Sequence, residues 1–447
     1  MKDKKTIQYI IIIIVLVAIL GVLWFLMIRE NNSSNYSSRD RNAQSERNNN
    51  SQATYSAAKE ITSNEDISEG DYTSSNADEN AISVSGDIDV NLSNINVSKT
   101  GDSAGGDNTS FYGTNSAILA KDGANLTIKN ANITTNATGA NGVFSYGGSA
   151  TTNNSSSDNT TINISDSTIT TTKDNSGGIM TTGGGIMNAT NLTINTAGTS
   201  SAAIRSDRGG GTVTVNKGTY KTTGKGSPAI YSTADITVKN ATLEATASEG
   251  IVIEGKNSVT LENVELTDTN NTLNGQSTTY KNIFLYQSMS GDAASGEATF
   301  TSKNSTITTN QGDSFYVTNT TASIILENNK ITNNDSKGNF LRIQKDSWGK
   351  SGSNGGVVTL KLINQEANGD IVVDSISKLD MTLSSSNYKG TINNSNEGEV
   401  SITLDKNSTI TLTGDTYIKS LSNEDTTNSN INLNGYKLYV NGVEFTK

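Results

Sequence analysis

A short apolar pattern recurs along the chain from residue 88 almost to its end. It runs apolar, exposed, apolar, with a further apolar residue seven positions after the first. Copies read IDVNLSNI at Ile88, LTIKNANI at Leu126, INISDSTI at Ile162, LTINTAGT at Leu192, VTVNKGTY at Val213, ITVKNATL at Ile236, VTLENVEL at Val259 and FTSKNSTI at Phe300. Further copies begin at Ile324, Val358, Met381 and Ile402. The starts are 38, 36, 30, 21, 23, 23, 41, 24, 34, 23 and 21 residues apart, so a unit of 21–24 residues carries insertions in some copies. A second short run lies about nine residues before the next start: AILA at Ala117, VFSY at Val143, IMTT at Ile179, AIRS at Ala203, AIYS at Ala229, IVIE at Ile251, IFLY at Ile283, FYVT at Phe315, FLRI at Phe340 and IVVD at Ile371. Alternation over three to five positions bounded by Gly and Asn predicts short half-buried strands.

Stacking the copies gives columns. The first column is apolar throughout, and the third is apolar in eleven of twelve copies, Ser302 being the exception. The column between them is Thr in nine of twelve, a β-branched residue suited to a wet sheet face. The fifth holds Asn130, Asn240, Asn263, Asn304 and Asn328, which suits a turn needing left-handed backbone. In the fourth, Lys239, Glu262, Lys303, Glu327 and Lys361 alternate in sign, as cross-strand ion pairs would. So short a unit, with no helical period, fits one turn of a solenoid of three short strands, each column becoming a parallel ladder. The expected fold is therefore all-β: a right-handed parallel β-helix of about twelve coils, roughly 55–60 Å long at about 4.8 Å per rung. Inward columns explain how a chain with only 33% apolar residues still buries a core.

Residues 10–28 form an uncharged apolar run preceded by Lys2, Lys4 and Lys5. It is long enough to span a bilayer, and the flanking charge places the N-terminus in the cytoplasm. An uncleaved signal anchor is expected; a cleaved signal peptide competes, although no A-x-A pattern follows the run. The stretch 31–80 has almost no apolar content, and between Glu60 and Asp89 there are nine acidic residues and no basic one. It reads as a disordered, self-repelling linker. The expected domains are thus a cytoplasmic tip and transmembrane anchor at 1–30, a linker at 31–80 and the β-helix at 81–447. The protein is placed at the cell membrane, single-pass, with its C-terminal domain outside.

The coil pattern T-x-apolar-x-Asn, with GDIVVDSISKLDMTL and INLNGYKLYVNG, resembles the right-handed parallel β-helix, or pectin-lyase-like, family over 88 to about 445. It is most similar to the adhesin-like surface members found in bacteria. That resemblance implies a non-catalytic surface role, binding glycans or a host or cell-envelope surface; the same fold also carries lyases and hydrolases.

The chemistry available is narrow. With no His and no Cys, the chain has no thiol nucleophile, no Ser-His-Asp triad and no Cys/His zinc site. No cofactor, metal site or catalytic residue is expected, and a net charge of −11 without a basic stripe argues against nucleic acid. The densest acidic region is Glu244, Glu249, Glu254, Glu262, Glu265 and Asp268. Ion pairing accounts for Glu262 and Glu327, and no Asp pair recurs in adjacent copies. The Gly183–Gly184–Gly185 and Gly209–Gly210–Gly211 runs lack the Lys-Ser/Thr and helix of a phosphate loop and read as turns. A Thr rank can also serve ice binding, but the charged fourth column interrupts the flat face that this needs.

Insertions at 147–159, 183–190, 287–297 and 344–356 are expected to decorate one face. The last carries the candidate ligand-binding residues Lys345, Asp346, Trp348 and Lys350. Trp348 either stacks on a sugar ring or folds back onto a coil edge. Three functions follow: a surface-displayed binding protein, a polysaccharide lyase or glycoside hydrolase, and a passive envelope spacer.

Overall fold

The structure, a computed structural model, describes residues 53–148 and 157–446. The apolar run at 10–28 lies outside the described residues. Among those residues no helix is long and apolar enough to cross a membrane.

The chain winds as a parallel β-solenoid. One coil illustrates the rest. Strand Ile118–Lys121 leads through a tight turn to Asn125–Lys129, a one-residue corner at Asn130 leads to Asn132–Thr135, and the chain returns to Val143–Tyr146. Val143 then pairs in parallel with Ile118, one coil back. Repetition builds a 12-stranded parallel sheet from strands such as Ala57–Ile61, Ile204–Ser206 and Ile371–Val373. A second sheet of 22 strands contains the other two strands of most coils, joined around the Asn corner, while in the C-terminal coils Glu366–Asn368, Asn387–Gly390, Thr409–Leu412 and Ile431–Asn432 form a separate four-stranded sheet. Ile118, Leu126, Ile128 and Ile133 all point inward and are fully buried. They belong to one continuous apolar core.

The corner Asn residues do what the sequence requires of them. Asn130, Asn240, Asn263, Asn304 and Asn328 all have φ between 52° and 55°. Their amides also form a ladder: Asn263 Nδ2 donates to Asn240 Oδ1 at 3.2 Å, and Asn328 Nδ2 to Asn304 Oδ1 at 2.7 Å. Asn is the non-glycine residue that tolerates this backbone while offering both a donor and an acceptor along the stack.

Register departs from the sequence columns at three places. Val90, not Ile88, pairs with Leu126, and Leu360, not Val358, pairs with Ile324. Lys361 consequently faces Ile325 rather than extending the Lys239–Glu262 and Lys303–Glu327 pairs, which form at 2.8 Å each. Met187, not Leu192, pairs with Ile162 and Val213. Leu192 lies past the corner at Asn191, in the second half of strand Gly185–Thr196, and the insertion expected at 183–190 is a Gly turn entering that strand. The ladder also runs one rung further at each end. Glu65 pairs with Val90, and Leu421 with Ile402. Strands Ala57–Ile61, Glu65–Ile67 and Gly70–Ser74 lie inside the stretch that composition assigns to the linker. Asp66 and Asp71 sit at outward positions, while Glu65 takes the inward register position next to buried Val90, half-buried and paired with Lys59 at 3.1 Å.

Candidate functional site

The outward positions of the 12-stranded sheet are not a Thr rank. Paired rung by rung they read Leu119, Phe144, Met180, Arg205, Tyr231, Val252, Phe284, Tyr316 and Arg342. Large residues there need cover, and inserted segments supply it. The short helix Asp107–Tyr112 brings Phe111 to this face, and Thr182 Oγ1 donates to the Phe111 carbonyl at 2.7 Å. The insertion at 287–297 brings Ser288 and Asp292, and that at 344–356 brings Trp348.

Between these covers lies a cavity of about 310 Å³ lined by Arg205, Asp207, Tyr231, Tyr286, Asp292 and Asn274, among others. Arg205 Nη2 donates to Asp207 Oδ2 at 3.1 Å. Arg208 donates through Nε and Nη2 to Asp292 Oδ1, at 3.2 and 2.9 Å, and its guanidinium lies 3.8 Å from the centre of the Phe111 ring. Behind the cavity Glu254, 1% exposed, accepts hydrogen bonds from Tyr231, Tyr286 and Ser288.

Burial dominates the electrostatics. It pushes the Asp207 carboxyl up to about 6, against the pull of Arg205 and with a further push from Asp292. It raises Glu254 as well, opposed by the Ser288, Tyr231 and Tyr286 hydroxyls. Burial and the Glu254 carboxylate hold both tyrosine phenols well above their ordinary value, so they remain donors. The wall thus offers one fixed guanidinium fork at Arg205, two aromatic edges, amide groups and carboxylates in one concave place, with Arg208 held behind its Asp292.

The sequence-derived candidates lie elsewhere. Trp348 is partly buried, with its ring centre 5.2 Å from Phe284 and 5.3 Å from Tyr286. That is the folded-back placement. Asp346 accepts bonds from Tyr316 at 2.6 Å and Thr278 at 3.0 Å. Lys345 and Lys350 are exposed. Of the acidic group, Glu244 pairs with Lys221 at 3.0 Å and Glu265 is exposed, whereas Glu249, Glu254 and Asp268 are buried. Among the described residues no group of three or more His, Cys, Asp or Glu side chains could hold a metal ion.

The cavity residues Arg205, Asp207, Tyr231 and Asp292 escape a reading based on the Thr columns. The signal was present in the second strand, where AIRS and AIYS place Arg205 and Tyr231 at the outward position. No family model, no curated protein and no solved structure matches the chain.

Proposed function

We propose that this chain is a membrane-anchored, surface-displayed protein whose right-handed β-helix binds carbohydrate in the cavity over Arg205 and Tyr231. The observation that carries this reading is the half-buried Arg205 guanidinium, held by Asp207, beside the Tyr231 and Tyr286 rings in a cleft of saccharide size. Such a fork presents planar donor pairs to vicinal hydroxyls or to a sugar carboxylate, while the rings offer a flat apolar face. The apolar run at 10–28 supports the anchor, and the near-universal hand of parallel crossovers supports the handedness.

One observation favours a second reading, a glycoside hydrolase. Asp207 lines the cavity with its carboxyl raised to about 6, in the range of a general acid, and Asp292 is near enough to contribute to that rise. A glycan array probed with the purified chain, followed by turnover assays on each hit, separates the two. Binding without turnover, lost in Arg205→Ala, is expected. An array without hits would favour the spacer function, and product release abolished by Asp207→Asn would establish the hydrolase.

A further inference from the structure

Away from the cavity, the edge of the 12-stranded sheet buries charges that the carbohydrate reading does not use. Lys281 is completely buried, and Glu249 is 5% exposed. They occupy equivalent places in neighbouring coils, each two residues before the paired Ile251 and Ile283. Their closest approach, Lys281 Nζ to Glu249 Oε1, is 3.9 Å. That is about an ångström longer than a charge-assisted hydrogen bond. The amine instead donates to Ser277 Oγ and to the Thr279 carbonyl, both at 2.8 Å. A neutral amine has two N–H bonds, and these two contacts use both, leaving its lone pair free.

Aromatic faces and burial pull the charge state of the amine in opposite directions. The Lys281 nitrogen lies 4.5 Å from the centre of the Phe284 ring, 4.8 Å from Tyr316 and 5.9 Å from Trp348. Burial lowers its pKa, against the pull of Glu249, Asp346 and Asp313. Asp313, the rung partner of Lys281, is already engaged by Arg342 and Asn339. A second buried carboxyl stands close by. Asp268 belongs to an inward column whose neighbours on either side are Ala245 and Thr309. It is 0% exposed, its Oδ1 has no hydrogen-bond partner, and burial and the Glu249 charge raise its pKa well above the usual range. A carboxyl kept protonated by its apolar setting can donate a proton to a neighbouring reaction, and this one is close enough to the Glu249 carboxylate to feel its charge.

We infer that Lys281 and Glu249 are the two halves of an intramolecular isopeptide cross-link, formed within the folded coil with Asp268 as its proton donor. Lys281 Nζ attacks Glu249 Cδ, the new C–N bond forms, and one Cδ–O bond breaks. The departing oxygen leaves as water with two protons that come from the Lys281 nitrogen as it passes from ammonium to amide, one of them relayed through Asp268, which gives its own proton to the oxygen and is restored from the nitrogen. Nothing is oxidised or reduced. The product closes residues 249–281 into a loop that cannot be drawn out of the rod. Holding both groups in one dry site replaces the encounter that makes the same condensation slow in water.

Intact-mass spectrometry of the full chain tests this against an ordinary buried ion pair. The native chain should weigh one water less than its sequence requires. The deficit should vanish in Glu249→Ala and in Lys281→Met, and be lost or greatly slowed in Asp268→Asn, which keeps both reacting groups. Glu249→Gln should condense by releasing ammonia and reach the same mass as the cross-linked native chain. A native chain at its full sequence mass would overturn the proposal, as would a deficit that survives Glu249→Ala.

Discussion

Gln365 and Asn329 bind each other inside the coil, one rung apart. Gln365 Oε1 accepts from the Asn329 backbone N–H at 2.8 Å and from Asn329 Nδ2 at 3.1 Å, and Gln365 Nε2 donates to the Asn329 carbonyl at 2.8 Å. Asn329 Oδ1 in turn accepts from Ser302 Oγ at 2.8 Å, which explains the one polar residue in the third column. Gln365→Leu would leave the Asn329 N–H without its acceptor, at about 1–3 kcal/mol for each buried polar group stranded. Equilibrium denaturation should show that loss; an unchanged midpoint would mean the network contributes nothing net.

Val238 pairs with Val215 on one side and Leu261 on the other, fully buried, while the adjacent Thr237 is partly exposed on the opposite face. Val238→Asp should cost several kcal/mol, because it buries an unpartnered carboxylate in an apolar column. Thr237→Asp should cost little. Thermal melts of the two variants compare them directly, and equal losses would contradict the register.

Asp207 gives a pH dependence of definite sign. Its folded pKa, about 6, lies above the ordinary 3.8, so between those values the folded chain holds more protons than the unfolded chain. Its contribution to stability is fully present below the unfolded value and is lost as pH rises through about 6. Asp207→Asn should flatten the stability profile across that window. A profile as steep in the variant as in the native chain would assign the slope to other groups.

Trp348 lies against Phe284 and Tyr286, and the Asn354 amide donates to its carbonyl at 2.8 Å. Trp348→Ala should lower the melting temperature by removing aromatic contacts of about 0.5–1.5 kcal/mol each, and leave glycan binding intact. Loss of binding with no loss of stability would move the ligand to this ring.

The fold was legible because the solenoid writes itself into sequence as columns, and its parity survives errors of two residues. Ile88 stood in for Val90, and Val358 for Leu360, without exchanging inside for outside, since strand side chains alternate with period two. Leu192 misled for a different reason. It follows a corner Asn and starts its own apolar alternation, so NLTI mimics the opening of a coil. The start at Glu65 was hidden because a charged residue, paired with Lys59, takes the inward register position there and breaks the apolar column. The cavity was illegible in kind. Its walls come from the helix at 107–112, the strands at 204–206 and 230–232 and the insertion at 287–297, segments whose meeting depends on how loops fold over a face.

Among the described residues each strand of the 12-stranded sheet pairs only with the strands of the coils before and after it. A load applied along the chain from one end therefore falls on a single rung at a time. Such a rod yields coil by coil, spooling out about 20–40 residues at each step, instead of failing all at once. Under the proposed one-end tether, this geometry would work as a graded shock absorber, and the proposed covalent tie between neighbouring coils would mark where the unspooling halts.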